Sequence, residues 1–196
     1  MRQIKKLVMS AALIGAAALA QSPLQAGGLD LALSNETAHL SVLLNPYELY
    51  QGGSELALGA FVNEVGDNLL HATLLARGVQ TLENSQYKLG AGIKAIGGDL
   101  DIDETVGALA LGFQASMLLS SSRFNPVDLT IEGFYAPSIT SFSDSTKFSE
   151  VAARLQIEVI PQARAYLGYR RITFQTNDFG EQQLDRSVHL GLNITF

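Results

Sequence analysis

The 196-residue chain has no cysteine and no tryptophan, and only 16% of its residues are charged, where soluble domains carry about 25%. Without cysteine there is no disulfide framework, no thiolate zinc site, no thiol nucleophile and no lipidated cysteine anchor. Basic residues are scarce: after residue 6 no cluster of Lys or Arg remains, and 19 acidic against 13 basic residues give a net charge of −6. That balance excludes the electrostatic footprint of a nucleic-acid binder. Long apolar runs are missing as well. None after residue 26 approaches the ~18 residues of a membrane-spanning helix. Yet 47% of the chain is apolar, too much for compositional disorder, so these residues must be hidden or placed in lipid.

The first 26 residues are built differently. Arg2, Lys5 and Lys6 form a basic start, and Leu7 to Ala20 is an apolar, small-residue run. At this length it is too short to span a bilayer and fits the core of a secretory signal peptide. Residues 1–26 are therefore expected to be removed, with cleavage after Ala20 or Ala26. The remaining segment, 27–196, keeps 10 of the 13 basic residues and all 19 acidic ones.

That segment alternates. Val188, Leu190, Leu192, Ile194 and Phe196 are interleaved with Ser187, His189, Gly191, Asn193 and Thr195, the period-2 signature of a strand with two unlike faces. The same pattern runs through Leu29–Leu33, Ala38–Leu44, Glu55–Val62, Leu70–Ala76, Tyr87–Ala95, Ala108–Met117, Leu129–Ala136, Val151–Val159 and Ala163–Arg170. Turn-forming clusters separate these ten segments, with no linker or domain boundary. Beyond Ala163 the apolar residues Ile172 and Phe174 share parity with Arg170, which predicts a β-bulge near Arg170 and Arg171.

Alternating strands suit a soluble sandwich as well as a membrane barrel, and four features favour the barrel. The segments are about 9–13 residues long, the length of a tilted strand crossing a bilayer. Charged residues sit in mid-strand on the polar face, where a membrane barrel keeps them inside. Many of the 15 aromatics, among them Phe61, Tyr87, Tyr135, Phe148, Tyr169 and Phe196, fall near strand ends, as in an interfacial girdle. Finally, Val188, Leu190, Leu192, Ile194 and Phe196 form a terminal alternating strand ending in an aromatic, which resembles the signal read by the outer-membrane barrel-assembly machinery. The expected fold is all-β: an antiparallel up-and-down transmembrane barrel of about ten strands, or eight if the first two segments pack elsewhere. With the last strand ending on the periplasmic side, 11 of the 19 acidic residues gather at the opposite rim.

The inward charges Lys88, Lys94, Glu132, Arg154, Glu158, Arg164 and Arg170 are the candidate functional residues. In a barrel of this size side chains largely fill the interior, so an ion-paired plug is expected, with a narrow conduction path as the alternative. Inward glycines Gly59, Gly90, Gly92, Gly112, Gly168 and Gly191 are expected to make room for long Arg and Lys side chains. His39 and Ser41, two apart on a strand with Glu48 or Glu55 as acid, have the spacing of lipid A deacylases. They point away from lipid, however, and His71, Thr73 and His189 read as lumen filling. The carboxylates Asp99, Asp101, Asp103 and Glu104 lack the spacing of an EF-hand. Neither catalytic residues, a metal nor a cofactor is expected.

Gly133-Phe134-Tyr135-Ala136-Pro137, Gly90-Ala91-Gly92-Ile93-Lys94-Ala95 and Ala165-Tyr166-Leu167-Gly168-Tyr169-Arg170, with the export segment and the terminal Phe196, resemble the YfaZ family of predicted Gram-negative outer-membrane proteins. The resemblance spans the chain except around Asn45–Gln51. It implies an outer-membrane barrel and carries no activity. The expected function is a small structural or interaction barrel with a filled polar lumen. A narrow porin-like channel comes second, and a lipid-modifying enzyme third. Expected partners are outer-membrane lipid and lipopolysaccharide, the barrel-assembly machinery and periplasmic chaperones, with the protein itself a monomer.

Overall fold

The computed structural model describes residues 26–44, 53–82, 85–120 and 125–196. Eleven strands follow one another: β1 (Ala26–Leu33), β2 (Thr37–Leu44), β3 (Gly53–Asn63), β4 (Asn68–Leu82), β5 (Ser85–Asp99), β6 (Thr105–Ser120), β7 (Val127–Ala136), β8 (Ser141–Ser143), β9 (Ser145–Ile160), β10 (Ala163–Thr176) and β11 (Gly180–Thr195). All pairings are antiparallel, and β1 pairs with β11 from Gly28↔Thr195 to Leu33↔Leu190, closing the sheet. Closure leaves no edge with unpaired backbone groups, the condition a strand must meet to cross lipid.

The short β8 is a continuation of β7. Along β6, β7 pairs as far as Leu111↔Tyr135, and β8 resumes at Ala108↔Ser141. Between them Pro137, which has no N–H to donate, leads into a 3-10 turn at Ser138–Thr140. The barrel therefore has ten walls, and the short Leu29–Leu33 segment is needed to complete them. Six strands run 14–16 residues, longer than the alternation implied. Residues read as loop, such as Gly97–Asp99 and Gly180–Gln183, still pair, because a backbone ladder needs no apolar face to continue. Among the described residues no helix is long and apolar enough to cross a membrane.

The outward face is apolar over most of its height. Leu70, Leu111 and Leu190 are 69%, 71% and 67% exposed, and most other outward positions in mid-strand are Leu, Ile, Val and Ala. Soluble proteins do not leave such a continuous apolar surface in water. Val42 and Leu44 share the outward parity but are buried.

Two expectations need correcting. The alternation in β10 does not break: Arg170, Ile172, Phe174 and Thr176 all point inward and are buried. The extra residue lies in the neighbouring strand, where Ile172 faces Asp185 but Thr173 faces Gln183. Leu184 is the insertion, and it is buried beside Asp185. The girdle is also incomplete, since Phe61 and Phe148 are fully buried inside, while Tyr135, Tyr169 and Phe196 do face outward. Both corrections have one cause. The lumen holds an apolar cluster at the end that carries the β3–β4, β5–β6 and β10–β11 connections, hereafter the loop end, built from Phe61, Leu69, Ile96, Val106, Phe134, Phe148, Ile172, Phe174 and Leu184. Phe148 and Phe174 pack there with ring centroids 4.8 Å apart.

Candidate functional site

Below that apolar cluster the lumen is polar, and strand parity turns a set of charged side chains into it. Arg170 Nε donates to Asp185 Oδ2 at 2.7 Å, and its guanidinium lies over the Phe61 ring at 5.2 Å. Lys94 Nζ meets Glu150 Oε2 at 2.6 Å and sits 4.5 Å from the Phe134 ring centroid. These two pairs border the apolar cluster. In the middle, Arg77 grips Glu55 through two parallel 2.9 Å bonds, the fork geometry that makes Arg–carboxylate pairs strong. Arg154 lies 3.6 Å from Asp30 and 3.9 Å from Glu132. Asp30 also accepts from the Tyr166 hydroxyl at 2.7 Å and the Asn193 amide at 3.0 Å. Towards the other mouth, Arg164 bridges Glu158 at 3.1 Å and Asp128 at 3.4 Å, and Lys88 lines the same space.

All seven charges predicted from alternation therefore face the lumen. Six more join them: Asp30, Arg77, Asp128, Glu150 and Asp185, together with Glu55, which was weighed only as a triad acid. Each shares the parity of a recognised inward neighbour, so the signal was present. Except for Asp30, they lie near the ends of the alternating segments or just beyond them, where the pattern is weakest. These thirteen are six cations and seven anions, close to neutral; Glu104, in the β5–β6 connection, is buried as well but pairs with none of them. That balance is required of charges held away from bulk water.

Of the six inward glycines, Gly90 makes room for the stem of a long cation, Arg77, and Gly92 lies against Leu75, while the other four make room for rings. In the register Gly59 lies opposite His71, Gly112 opposite Phe134, Gly168 opposite His189 and Gly191 opposite Tyr166. A Cβ at any of the four would collide with that ring. Each ring occupies the space that a side chain at its glycine would take.

His39 and His71 form a stacked pair, centroids 5.0 Å apart, with their Nε2 atoms at 2.7 Å. Ser41 Oγ is 3.4 Å from both rings, and Thr73 Oγ1 is 3.5 Å from His71 Nδ1. Glu55 is held by Arg77 and does not orient either imidazole, and Glu48 lies outside the described residues. His189 packs edge-on to Tyr166 at 5.9 Å. At the loop rim, Asp67 accepts from the Asp101 amide and Asp99 from the Thr105 hydroxyl, so these carboxylates organise turns. Among the described residues no group of three His, Asp or Glu is placed to hold a metal.

At the loop end a cavity of about 330 Å³ opens between Asn63, Asp67, Leu100, Gln182, Asp185 and Arg186; what remains open in the polar part of the lumen is a cavity of about 170 Å³. Each water takes ≈30 Å³ of liquid volume, so a few waters fill it. The polar part of the lumen thus falls short of the ≈300–1,000 Å³ of pockets for organic ligands.

Fold and interior together define a class of protein: a closed, antiparallel ten-stranded barrel, apolar outside and ion-paired within. No protein-family profile matches the chain, and no curated protein matches it in sequence. Among solved structures it is similar to a bacterial polysaccharide outer membrane secretin, over 86% of this chain and 69% of that one, at 9% identity and a TM-score of 0.44.

Proposed function

We propose that this protein is a bacterial outer-membrane β-barrel of the structural or interaction class, with a lumen filled by its own side chains. One observation carries the reading. An apolar wall surrounds an interior that is blocked twice, by ion-pair layers and by the apolar cluster at the loop end. A closed barrel satisfies its backbone in lipid, and apolar-out, polar-in alternation is the pattern of outer-membrane barrels. The motifs around Gly133–Pro137 and Ala165–Arg170 support placing the chain with the YfaZ family. The outward row Val188, Leu190, Leu192, Ile194 and Phe196 suits an assembly signal, with the assembly machinery and periplasmic chaperones as transient partners and a monomer as the final state.

The test has two parts. In detergent, the folded barrel should migrate faster than the boiled chain on a gel. A protein that stays soluble with its strand content intact would overturn the membrane assignment. In planar bilayers it should give no discrete conductance steps. Steps whose size changes on substituting Arg154 or Arg164 would establish the narrow channel instead. The enzyme reading requires Ser41 to act on lipid, and unchanged lipid A mass spectra for Ser41→Ala are the expected result.

A further inference from the structure

The six cations of the lumen leave three other basic residues among those described: Lys147, Arg171 and Arg186. All three face outward, and all three lie on adjacent strands β9, β10 and β11 at the loop end. The register sets out the rows of that outer surface. Leu155, Leu167 and Leu190 lie side by side, then Ala153, Tyr169 and Val188, then Val151, Arg171 and Arg186. Lys147, beside Gln175, faces out two rows beyond. The apolar belt thus ends on a Tyr and is capped at once by two guanidinium groups.

Arg171 and Arg186 are directly opposite one another. Such cross-strand neighbours have Cβ atoms ≈4.5–5.5 Å apart, and like charges placed there repel. Arg171 has one compensating contact, Nη2 to Glu181 Oε1 at 3.1 Å, between side chains 48% and 62% exposed, an arrangement that holds weakly in water. Arg186 makes no ion pair among the described residues. A like-charged pair at the edge of an apolar belt is relieved by an anion between the two forks. A phosphate monoester, with three acceptor oxygens, can take parallel N–H donors from both.

From this placement we infer that the outer face of β9–β11 is a binding site for the phosphorylated headgroup of a membrane lipid in the loop-side leaflet. Arg171 and Arg186 clamp the phosphate. Lys147 adds longer-range attraction, and Leu155, Leu167, Leu190 and Val188 lie against the acyl chains. Glu181 is released from Arg171 as the phosphate enters. The inference rests on the membrane reading above.

The probe is the barrel reconstituted in phosphatidylcholine vesicles doped with a glucosamine-disaccharide lipid, either phosphorylated or dephosphorylated. Lipids retained after release are counted by native mass spectrometry. The wild type should retain the phosphorylated lipid and show no enrichment of the dephosphorylated one. R171Q/R186Q should reduce retention by about tenfold or more, as expected for losing charge-assisted contacts, and K147Q by less. If the double glutamine variant does not insert, R171K/R186K decides the question, because it keeps the charge but loses the paired donors and should retain the lipid less well than wild type. Equal retention by wild type and the inserted variants would overturn the proposal, as would binding of inorganic phosphate without lipid enrichment. A wild type that inserts but shows no headgroup preference overturns this proposal alone. A wild type that never inserts overturns the membrane reading with it.

Discussion

The Lys94–Glu150 pair decides whether the lumen is dry. Its side chains are 7% and 6% exposed, its atoms are 2.6 Å apart, and it abuts Phe134 at the edge of the apolar cluster. Removing one partner strands a charge in that setting, which costs ~3–5 kcal/mol, whereas replacing both with apolar residues of similar volume is often neutral or stabilising. Glu150→Leu and Lys94→Met should therefore each destabilise by about 3–5 kcal/mol, and the double variant should fall within about 1 kcal/mol of wild type. The cycle would then give a coupling energy well above the usual range of about 0.5–3 kcal/mol for contacting residues. With no tryptophan in the chain, urea titrations in lipid vesicles are best followed by gel migration of the folded form and by circular dichroism. Single variants that each cost under about 1 kcal/mol, with additive effects, would mean that water reaches both charges. The sealed-lumen argument would then fail.

Three further outcomes follow from the same geometry. Gly59→Ala places a Cβ against the His71 ring and Ser41 and should cost about 1–3 kcal/mol as overpacking, with His71→Ala restoring most of the loss in the double variant; equal stability of Gly59→Ala and wild type by urea titration would refute it. Phe148→Ala and Phe174→Ala, at two fully buried rings, should each destabilise by ~3–5 kcal/mol, and the double variant should still give no conductance steps in a planar bilayer, because the ion-pair layers remain; steps would mean that those layers do not block the bore. Leu190→Arg, on the exposed outer face, should cost ~2–4 kcal/mol in lipid if it lies near the midplane; a soluble surface would tolerate it, so an unchanged midpoint would count against the membrane.

Strand existence and facing were legible because the outer wall obeys one rule along the whole chain, apolar out and polar in. His189 and Leu190, or Arg154 and Leu155, declare their faces without reference to any other strand. The rule misleads where the inside is apolar too. Ile172 and Phe174 looked like a parity break because an inward apolar residue is indistinguishable, by pattern, from an outward one. Phe61 and Phe148 passed for girdle residues for the same reason. Strand ends were short by several residues, since pairing of Gly97–Asp99 or Gly180–Gln183 is sustained by backbone hydrogen bonds to a neighbour that the local sequence does not name. The charges Asp185, Asp128 and Arg77 were lost with those ends.

By itself the sequence determined the barrel class and the inward set Lys88, Lys94, Glu132, Arg154, Glu158, Arg164 and Arg170, because side-chain direction in a strand is a local property of period two; it left eight or ten walls open, and closure through β1 decided ten. Only the tertiary structure decided who pairs with whom: Asp30 on β1 with Tyr166 on β10 and Arg154 on β9, or Lys94 on β5 with Glu150 on β9. These partners meet across the bore, and their meeting depends on closure and register. It also placed the apolar cluster at one end and set Arg171 against Arg186. Register between strands is fixed by the whole closed ladder, and no single segment carries it.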